Sequence, residues 1–389
     1  MISVEEAQRI LWDHCPAVRS VRVPLSMANG RFITEHIRAA HPHPLFDMSA
    51  VDGYAFCKDG KQEWTVVGSV AAGEVFPRAI NSGESVRIFT GAALPEGADT
   101  VVMQERVHRD GDRITHNDTG LKYGGNVRIR GEHVEKGNIL VDEGDRLGPA
   151  LIGLLASVGV GAVVVGGLPR VRVLITGNEF TDASDPPAGR IFGSNDVMLQ
   201  AALAKELVPT QVEHVGDDTK ALSAAILRAV EQGDLLITTG GASVGDHDLI
   251  APVLRELGAT IHFHGVAQKP GKPMLFAELN GIPIFGLPGN PRAVLILFWI
   301  YVLPFLQRMQ CSVAPGLRSD ELKLMEPIEI RGDRAEFRAV KVDQGSVIQL
   351  KDEGSHMLTS LTAAHALAYF PAEKRKWEVG ERVRVNFIQ

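Results

Sequence analysis

Residues 168–316 alternate short apolar runs with longer segments of mixed polarity. The runs typical of buried strands are VRVLIT (171–176), QVEHVG (211–216), DLLITTG (234–240), ATIHFHG (259–265) and IPIFGL (282–287). The segments predicted as helices are 195–207, 219–232, 247–257 and 291–309. This alternation predicts right-handed crossovers and a parallel sheet covered by helices on both faces. In such a sheet, ligands bind beyond the carboxyl ends of the strands.

Two further segments are rich in predicted strands. Residues 45–136 contain WTVVGSV, ESVRIFTG, DTVVMQERV and DRITHN, separated by glycine turns, and residues 317–389 favour a small β-barrel or sandwich. Residues 1–44 and 137–167 flank the first segment, and LGPALIGLLASVGV in the second flank predicts a helix. If the flanks belong together as a linking domain, residues 45–136 are an insertion. The predicted fold class is therefore a multidomain α/β and β protein, with residues 168–316 and 317–389 as its other domains.

Composition narrows the partners and the location. The 389-residue chain has a net charge of −7, which does not favour a nucleic acid or an acidic membrane as partner. Three well-separated cysteines predict no disulfide framework, and the acidic N-terminus lacks the basic start of a signal peptide. The longest apolar run, residues 293–306, is shorter than a membrane span and contains Pro304, so it predicts a buried helix. A cytoplasmic location is expected.

Three glycine-rich turns, TTGGASVGDHD, QKPGKP and FGLPGNPRAV, contain or follow predicted strands. Such turns present backbone N–H groups that need acceptors, which favours a pocket for a polyanion. Lys269 and Lys272 flank Pro270-Gly271, a sharp turn that can bring both ammonium groups to one point. One charge pair at about 4 Å contributes roughly 4 kcal/mol, whereas micromolar affinity needs about 8 kcal/mol. Two lysines with amides and hydroxyls would suffice, and the alternative is a solvated surface turn.

Other residues at predicted strand ends suggest phosphate and metal chemistry. Asn290-Pro291 begins a predicted helix and could hold a phosphate or act as a simple cap. Glu179, Asp217, Asp246 and Asp248 follow predicted strands or lie in their turns. Mg²⁺ prefers oxygen ligands, and one or two carboxylates suffice when substrate phosphates complete the shell. Each carboxylate taken alone is also compatible with an ordinary solvated loop.

GASVG (241–245) matches the nucleophile-elbow pattern, so Ser243 with Asp248 and His365 is a hydrolase hypothesis. The same loop fits an anion or a metal equally well. DMSAVDGYA (47–55), Thr90-Gly91 and NVRIRGEH are ambiguous when taken alone. The remaining histidines show no metal-binding spacing and are interpreted as scattered core or surface residues.

Taken together, the motifs resemble the molybdopterin molybdenumtransferase family, the MoeA proteins and the E domain of gephyrin. The matching runs, in order, are FDMSAVDGYA, RIFTGAALPEGADTVVMQE, GGNVRIRGE, ITGNE, TTGGASVGDHD, QKPGKP, GLPGNP and GSHM. The resemblance implies an elongated homodimer of four-part subunits, with a MogA-like α/β domain in residues 168–316 and a C-terminal β-barrel. It also implies Mg²⁺-dependent transfer of molybdenum from molybdate to adenylylated molybdopterin, with release of AMP. The pterin-adenylylating enzyme is then a candidate partner.

The resemblance assigns roles to matching residues. The molybdate pocket would hold Ser243, Lys269, Lys272, Arg338 and Ser355, and the substrate would also contact Gly241 and Asn290. Glu179, Asp217 and Asp248 would serve Mg²⁺ and the pyrophosphate, while Asp52 and Thr90 would come from the partner subunit. Three residues depart from the family pattern: Asn178 and His133 stand where Asp is usual, and Gly265 stands where Lys or Arg is common. A gephyrin-like scaffold with weakened catalysis is therefore the alternative.

Overall fold

The computed structural model describes residues 1–181, 183–240, 249–351, 354 and 357–388. Its first element is helix α1 (Val4–Asp13), which begins where the Ser3 side chain accepts a hydrogen bond from the Glu6 N–H. Val4, Ala7 and Leu11 form its buried face and pack into the core of the α/β domain. Strands β1 (Val21–Pro24) and β2 (Ile37–Arg38) follow.

The segment from 45 to 136 is built from short strands. They are β3 (Met48–Ser49), β4 (Gly53–Phe56), β5 (Trp64–Val70), β6 (Glu84–Ile88), β7 (Thr100–Met103), β8 (Val107–Asp110), β9 (Arg113–His116) and β10 (Val127–Arg128). Strands β4 to β9 form one mixed sheet in the order β7-β4-β6-β5-β9-β8, and β3 pairs with β10. Along β4, Ala55 packs on one face while Tyr54 and Phe56 pack on the other. Both faces are covered, so this sheet has a core of its own.

The chain then returns to the first segment. Strand β11 (Ile139–Val141), helix α2 (Pro149–Ser157) and strand β12 (Ala162–Val165) follow, and β11 pairs with β2 while β12 pairs with β1. Leu25 and Ile33 share one core with Leu147, Leu155 and Val163. The pieces on either side of the β-rich segment therefore pack together, and the domain boundaries themselves stay predictions.

Residues from 171 to 309 form the α/β part. Its elements are β13 (Val171–Thr176), α3 (Asn195–Ala204), β14 (Thr210–Val215), α4 (Thr219–Gln232), β15 (Leu235–Thr239), α5 (Ile250–Glu256), β16 (Thr260–His264), β17 (Gln268–Lys269), β18 (Leu275–Leu279), β19 (Ile282–Leu287), α6 (Pro291–Leu297) and α7 (Leu303–Met309). The sheet order is β14-β13-β15-β19-β18-β16. Strands β14, β13, β15 and β19 are parallel, as predicted. Strand β18 was not predicted, and it runs antiparallel to both β19 and β16.

One helix has an unusually apolar composition. A π-helical turn, Phe298–Val302, joins α6 to α7, so Pro291–Met309 is one continuous helix. It is long and apolar enough to span a membrane, but 83% of its hydrophobic window is buried inside the protein. Its side chains belong to the largest hydrophobic cluster of the described residues. This burial is that of a core helix, as the sequence predicts.

The last segment is a barrel. Its elements are β20 (Ser319–Leu324), β21 (Ile328–Glu329), β22 (Ala335–Asp343), β23 (Ser346–Gln349), α8 (Thr359–Thr362), β24 (Ala366–Phe370), β25 (Lys376–Trp377) and β26 (Arg382–Phe387). Strands β22, β23, β20, β26 and β24 pair in a ring that closes through β22 and β24. Leu324, Val340, Val347 and Val385 fill its interior. Strand β17 pairs with β22, so the QKPGKP turn is hydrogen-bonded to the barrel.

Candidate functional site

A cavity of about 1020 Å³ opens at the carboxyl ends of β13, β15 and β19. Its lining comes from the residues after these strands and after β14, from the 269–273 turn, and from Ile191, Phe192, Ser194, Asn195, Leu249 and Arg334. The position agrees with the rule that ligands of such sheets bind beyond the carboxyl ends of the strands. Of the predicted site residues, those that line the cavity are Glu179, Asp217, Lys269, Lys272 and Asn290.

The acidic edge of the cavity comes from two neighbouring strands. Glu179 follows β13 and Asp217 follows β14, and the Asn178 side-chain oxygen accepts a hydrogen bond from the Asp217 N–H at 3.3 Å. Gly177 has a φ of +141°, and a Cβ there would lie 2.3 Å from Glu179 Oε2. The carboxylate therefore occupies space that only glycine leaves open. Oxygen donors from both strand ends face one cavity.

The basic edge is the turn between β17 and β18. Lys269 and Lys272 both line the cavity, and Lys269 Nζ lies 3.6 Å from Glu336 Oε1 on the barrel. Buried Gln268 supports the turn because its side chain donates to the Gly271 carbonyl at 3.2 Å and accepts from the Tyr301 hydroxyl. Burial raises the pKa of Tyr301 well above its ordinary value, so the phenol keeps its proton as donor. The turn is thus fixed from the core side.

The charge of this edge differs from the prediction in two respects. The Arg338 guanidinium does not line the cavity; it lies 2.7 Å from Glu336 Oε2 and donates to Gln349 Oε1 at 2.7 Å. Glu336 is 3% exposed and contacts both Arg338 and Lys269, so its carboxylate offsets part of their charge. Arg334, which the sequence analysis did not single out, does line the cavity, and it donates to the Gln268 carbonyl at 3.3 Å.

The loop after β19 forms the floor. Asn290 lines the cavity and is the N-cap residue of α6, although its side chain makes no capping hydrogen bond. The Asn195 side chain donates to the Gly289 carbonyl at 2.8 Å and holds this loop against the start of α3. The Asn195 side-chain oxygen is buried without a hydrogen-bond partner among the described residues.

An apolar wall adjoins the acidic edge, because the Ile191 N–H donates to the Glu179 carbonyl at 2.9 Å. Phe180, Ile191 and Phe192 line the cavity, and Ile191 and Phe192 are 53% and 58% exposed. Exposed apolar side chains at a cavity suit the face of a ring, while the lysine turn suits an anion. This wall could not be predicted, because the sequence of residues 180–192 shows no strand or helix pattern. The cavity as a whole offers an apolar surface to a flat ring and lysine side chains to anionic groups.

Comparison with known proteins decides the family. Family models match as the MoeA N-terminal region (domain I and II) at residues 2–159, a probable molybdopterin binding domain at 172–308, and the MoeA C-terminal region (domain IV) at 321–388. The molybdopterin molybdenumtransferase of Haemophilus influenzae is 35% identical, with 99% of this chain and 98% of that protein covered. That of Bacillus subtilis is 32% identical over 100% and 94%. The chain belongs to the MoeA family of molybdopterin molybdenumtransferases.

A solved structure agrees with this assignment. The molybdopterin biosynthesis MoeA protein of Pyrococcus horikoshii superposes with a TM-score of 0.83 at 28% identity, and the match covers 100% of both chains. The predicted family and fold class are therefore confirmed. As a MoeA-family member, the chain is a transferase of molybdenum cofactor biosynthesis. The roles of individual residues stay predictions.

Some residues with predicted family roles lie elsewhere. Asp52 and Thr90 are in the segment from 45 to 136 and do not line the cavity of their own chain. They contact each other, because Asp52 Oδ1 accepts hydrogen bonds of 2.8 Å from both the N–H and the hydroxyl of Thr90. These bonds lower the pKa of Asp52 and keep the carboxylate ionised. The pair is preformed, and its role in a MoeA partner subunit's site stays a prediction.

Gly241, Ser243, Asp248 and Ser355 lie outside the described residues. Of the predicted hydrolase residues, His365 is described; it does not line the cavity, and its Nδ1 is 3.1 Å from the Val342 N–H. Because Ser243 and Asp248 lie outside the described residues, the hydrolase hypothesis stays a prediction.

The departure from the MoeA pattern at Gly265 has a local explanation. Its φ is +102°, which a lysine or arginine would rarely adopt, and a Cβ would meet the Met1 side chain at 3.3 Å. The Gly265 carbonyl accepts a hydrogen bond from the Ile2 N–H at 3.2 Å. The N-terminal residues therefore pack beside the position where the family resemblance led us to expect a cation.

Proposed function

We propose that the chain transfers molybdenum from molybdate to adenylylated molybdopterin and releases AMP, with Mg²⁺ as cofactor. The observation that carries the proposal is one cavity that combines an acidic edge, a doubly basic turn and an apolar wall. A pterin suits the apolar wall, and molybdate, a small dianion, suits the lysines.

Glu179 and Asp217 fit the magnesium requirement. Both offer carboxylate oxygens to the cavity, and hard oxygen donors are what Mg²⁺ selects. Asp248 is the third predicted ligand. When bound, Mg²⁺ would supply Lewis-acid polarisation of the phosphoanhydride.

The chain's own residues would act through position and charge. Lys269 and Lys272 would hold molybdate next to the pterin, and Arg334 would add a third positive charge near the same turn. Asn290 and the backbone of the loop after β19 would orient the substrate's polar groups. The apolar wall would keep one face of the ring away from water. Little proton transfer by protein groups is required in this scheme.

We also propose a cytoplasmic homodimer in which Asp52 and Thr90 of one subunit complete the site of the other. The preformed Asp52–Thr90 pair supports this arrangement, because it lies outside the cavity of its own chain. The pterin-adenylylating enzyme is proposed as the partner that delivers the substrate.

The test of the reaction is molybdate-dependent release of AMP from adenylylated molybdopterin in the presence of Mg²⁺. Lys272→Ala is expected to abolish this release, because Lys272 lines the cavity and no described carboxylate pairs with it and offsets its charge. Lys220→Ala, at the exposed start of α4, is the matched control and should release AMP at the wild-type rate. Unchanged release from Lys272→Ala would remove the lysine turn from the mechanism, and no release from the wild-type protein would refute the reaction.

A further inference from the structure

His14, His262 and Glu278 come together at the β16 edge of the α/β sheet, and none of the three lines the cavity. Their ligand atoms all lie within 4.8 Å of one another. Glu278 Oε2 is 2.9 Å from His14 Nδ1 and 2.6 Å from His262 Nε2. The histidines, interpreted from the sequence as scattered, therefore include a pair that shares one carboxylate oxygen.

An irregularity in the sheet brings the His262 and Glu278 side chains together. In the antiparallel pairing of β16 with β18, Ile261 lies opposite Ala277 and Phe263 lies opposite Phe276. His262 is thus the extra residue of a β-bulge, and a bulge re-aims the side chain that it carries. Glu278 lies opposite Thr260 in the same ladder. The bulge directs the imidazole to the carboxylate of the neighbouring strand.

The third group comes from the end of α1. His14 is the C-cap residue, and its N–H donates to the Ile10 carbonyl at 3.2 Å. The next residue, Cys15, lies with its Sγ 3.5 Å from the Phe305 carbonyl, which anchors the chain immediately after the helix. The two imidazole rings are 3.8 Å apart between centroids. The C-terminal end of α1 therefore meets the edge of the sheet at these three side chains.

The cluster is supported and partly accessible. The His262 ring stacks on Phe276, a core residue, with 5.4 Å between centroids. The side chains of His14, Glu278 and His262 are 38%, 26% and 12% exposed. Packing fixes one imidazole, while the exposed side leaves room for a water ligand. These are the properties of a site built on rigid elements with one open position.

We propose that His14, His262 and Glu278 bind one divalent transition-metal ion, with Zn²⁺ as the best match. Two imidazole nitrogens and one carboxylate oxygen are a common three-residue zinc set, and a water supplies the fourth ligand. Mg²⁺ prefers oxygen ligands to imidazole nitrogens, so this site differs in its metal preference from the carboxylate edge of the cavity. Ligand atoms around tetrahedral zinc are about 3.3 Å apart, so both nitrogen–oxygen distances in the cluster lengthen by about half an ångström on binding. Both histidine nitrogens must lose their protons to bind.

The bound ion would link α1 to the sheet edge. The buried face of α1 already packs into the core, and the metal would add a connection at its C-terminal end. Binding to the folded state alone stabilises that state by mass action. This inference does not depend on the proposed molybdenum transfer, because the three ligands take no part in it.

The experiment uses the full-length protein, stripped with a chelator and titrated with Zn²⁺ by calorimetry. One ion per chain is expected, together with a rise in the melting temperature. Co²⁺ should replace Zn²⁺ and give the visible absorption of a four-coordinate histidine site. Mg²⁺ at the same concentration should give neither signal.

Variants locate the ion. His262→Gln and Glu278→Gln are each expected to weaken Zn²⁺ binding at least about tenfold and to abolish the cobalt spectrum. His36→Gln is the matched control, because His36 Nδ1 lies 3.0 Å from Asp142 Oδ1 in an exposed pair without a third ligand among the described residues. It should leave both signals unchanged. Wild-type protein that binds no Zn²⁺, or a cobalt spectrum retained in both ligand variants, would overturn the proposal, and the AMP-release assay is unaffected by either result.

Discussion

Glu336 sets the charge balance at the lysine turn. It is almost fully buried, and its two oxygens contact Lys269 and Arg338. A buried carboxylate is tolerated when cations pair with it, so Glu336 and Arg338 stabilise each other in the barrel wall. Lys272 and Arg334 are the cavity-lining cations that make no ion pair with a described carboxylate. The attraction for an anion therefore depends more on these two than on Arg338.

Arg334→Ala tests this balance. We expect the apparent molybdate KM to rise about tenfold, because loss of one partly screened charge contact corresponds to roughly 1.4 kcal/mol. The release of AMP at saturating molybdate should change much less. Arg331→Ala, an exposed neighbour that does not line the cavity, is the control. An unchanged KM in Arg334→Ala would mean that the guanidinium does not contribute to molybdate binding.

The cavity residues that follow a strand or lie in a turn were predictable, and the others were not. Glu179, Asp217 and Asn290 follow apolar runs that become strands, so their shared sheet edge could be inferred. Arg334 lies in the barrel domain, 66 positions along the chain from Gln268, to whose carbonyl it donates. It reaches the cavity because β17 pairs with β22, and no local pattern encodes that pairing. Local sequence patterns do not show which distant strands pair with each other.

Among the elements, β18 carries a signal that the sequence analysis did not use. Asn280 and Gly281 both have positive φ and join β18 to β19 as a two-residue hairpin. An Asn-Gly pair between apolar runs is the strongest short-range indication of such a hairpin. The apolar run before this pair is short and directly follows the lysine turn, so it was not recognised as a strand. The predicted set of strands was therefore incomplete, whereas the parallel strands and the helices that cover them could be predicted.

Helix α1 gives a prediction at the scale of elements. The Tyr369 hydroxyl donates to Glu5 Oε1 and connects the helix to β24 of the barrel. Burial alone would raise the pKa of Glu5, but hydrogen bonds from Tyr369, the backbone and Ser3 outweigh it, so the pKa lies below its ordinary value. Tyr369→Phe should lower the free energy of unfolding by about 1 kcal/mol at neutral pH, because it removes one hydrogen bond to a largely solvated carboxylate. Urea unfolding measures the difference.

The same variant predicts a pH dependence. A lowered folded-state pKa gives stability above the unfolded pKa, about 4.3 for Glu, and that stability is lost as the pH falls through the folded value. The difference between wild type and Tyr369→Phe should therefore shrink between about pH 5 and about pH 3. Glu6→Gln, on the same turn of the helix, should show no such change. A difference that persists at the acidic end would point to packing of the ring instead of the carboxylate bond.

At the scale of the whole molecule, the proposed sharing of sites between subunits can be tested by mixing inactive chains. A heterodimer of Asp52→Ala and Lys272→Ala, isolated with two affinity tags, would have one intact site and one site with both changes. It should recover about half of the wild-type rate of AMP release, although each parent homodimer is inactive.

A second mixture is the control for that experiment. Glu179→Ala and Lys272→Ala both change the cavity of their own chain, so every site of their heterodimer lacks one residue. No recovery is expected there. If the Asp52→Ala mixture also stays inactive, Asp52 does not act across the dimer.

The pairing of β17 with β22 has a consequence for the independence of the barrel. Gln268↔Ala335 and Lys269↔Glu336 are backbone partners, so the start of the lysine turn is an outlying strand of the barrel as much as a loop of the α/β part. A tilt of the barrel would move Lys269 as well. A chain truncated ahead of β20 would leave β17 without its neighbour β22. The position of the lysine turn at the cavity therefore depends on the C-terminal barrel.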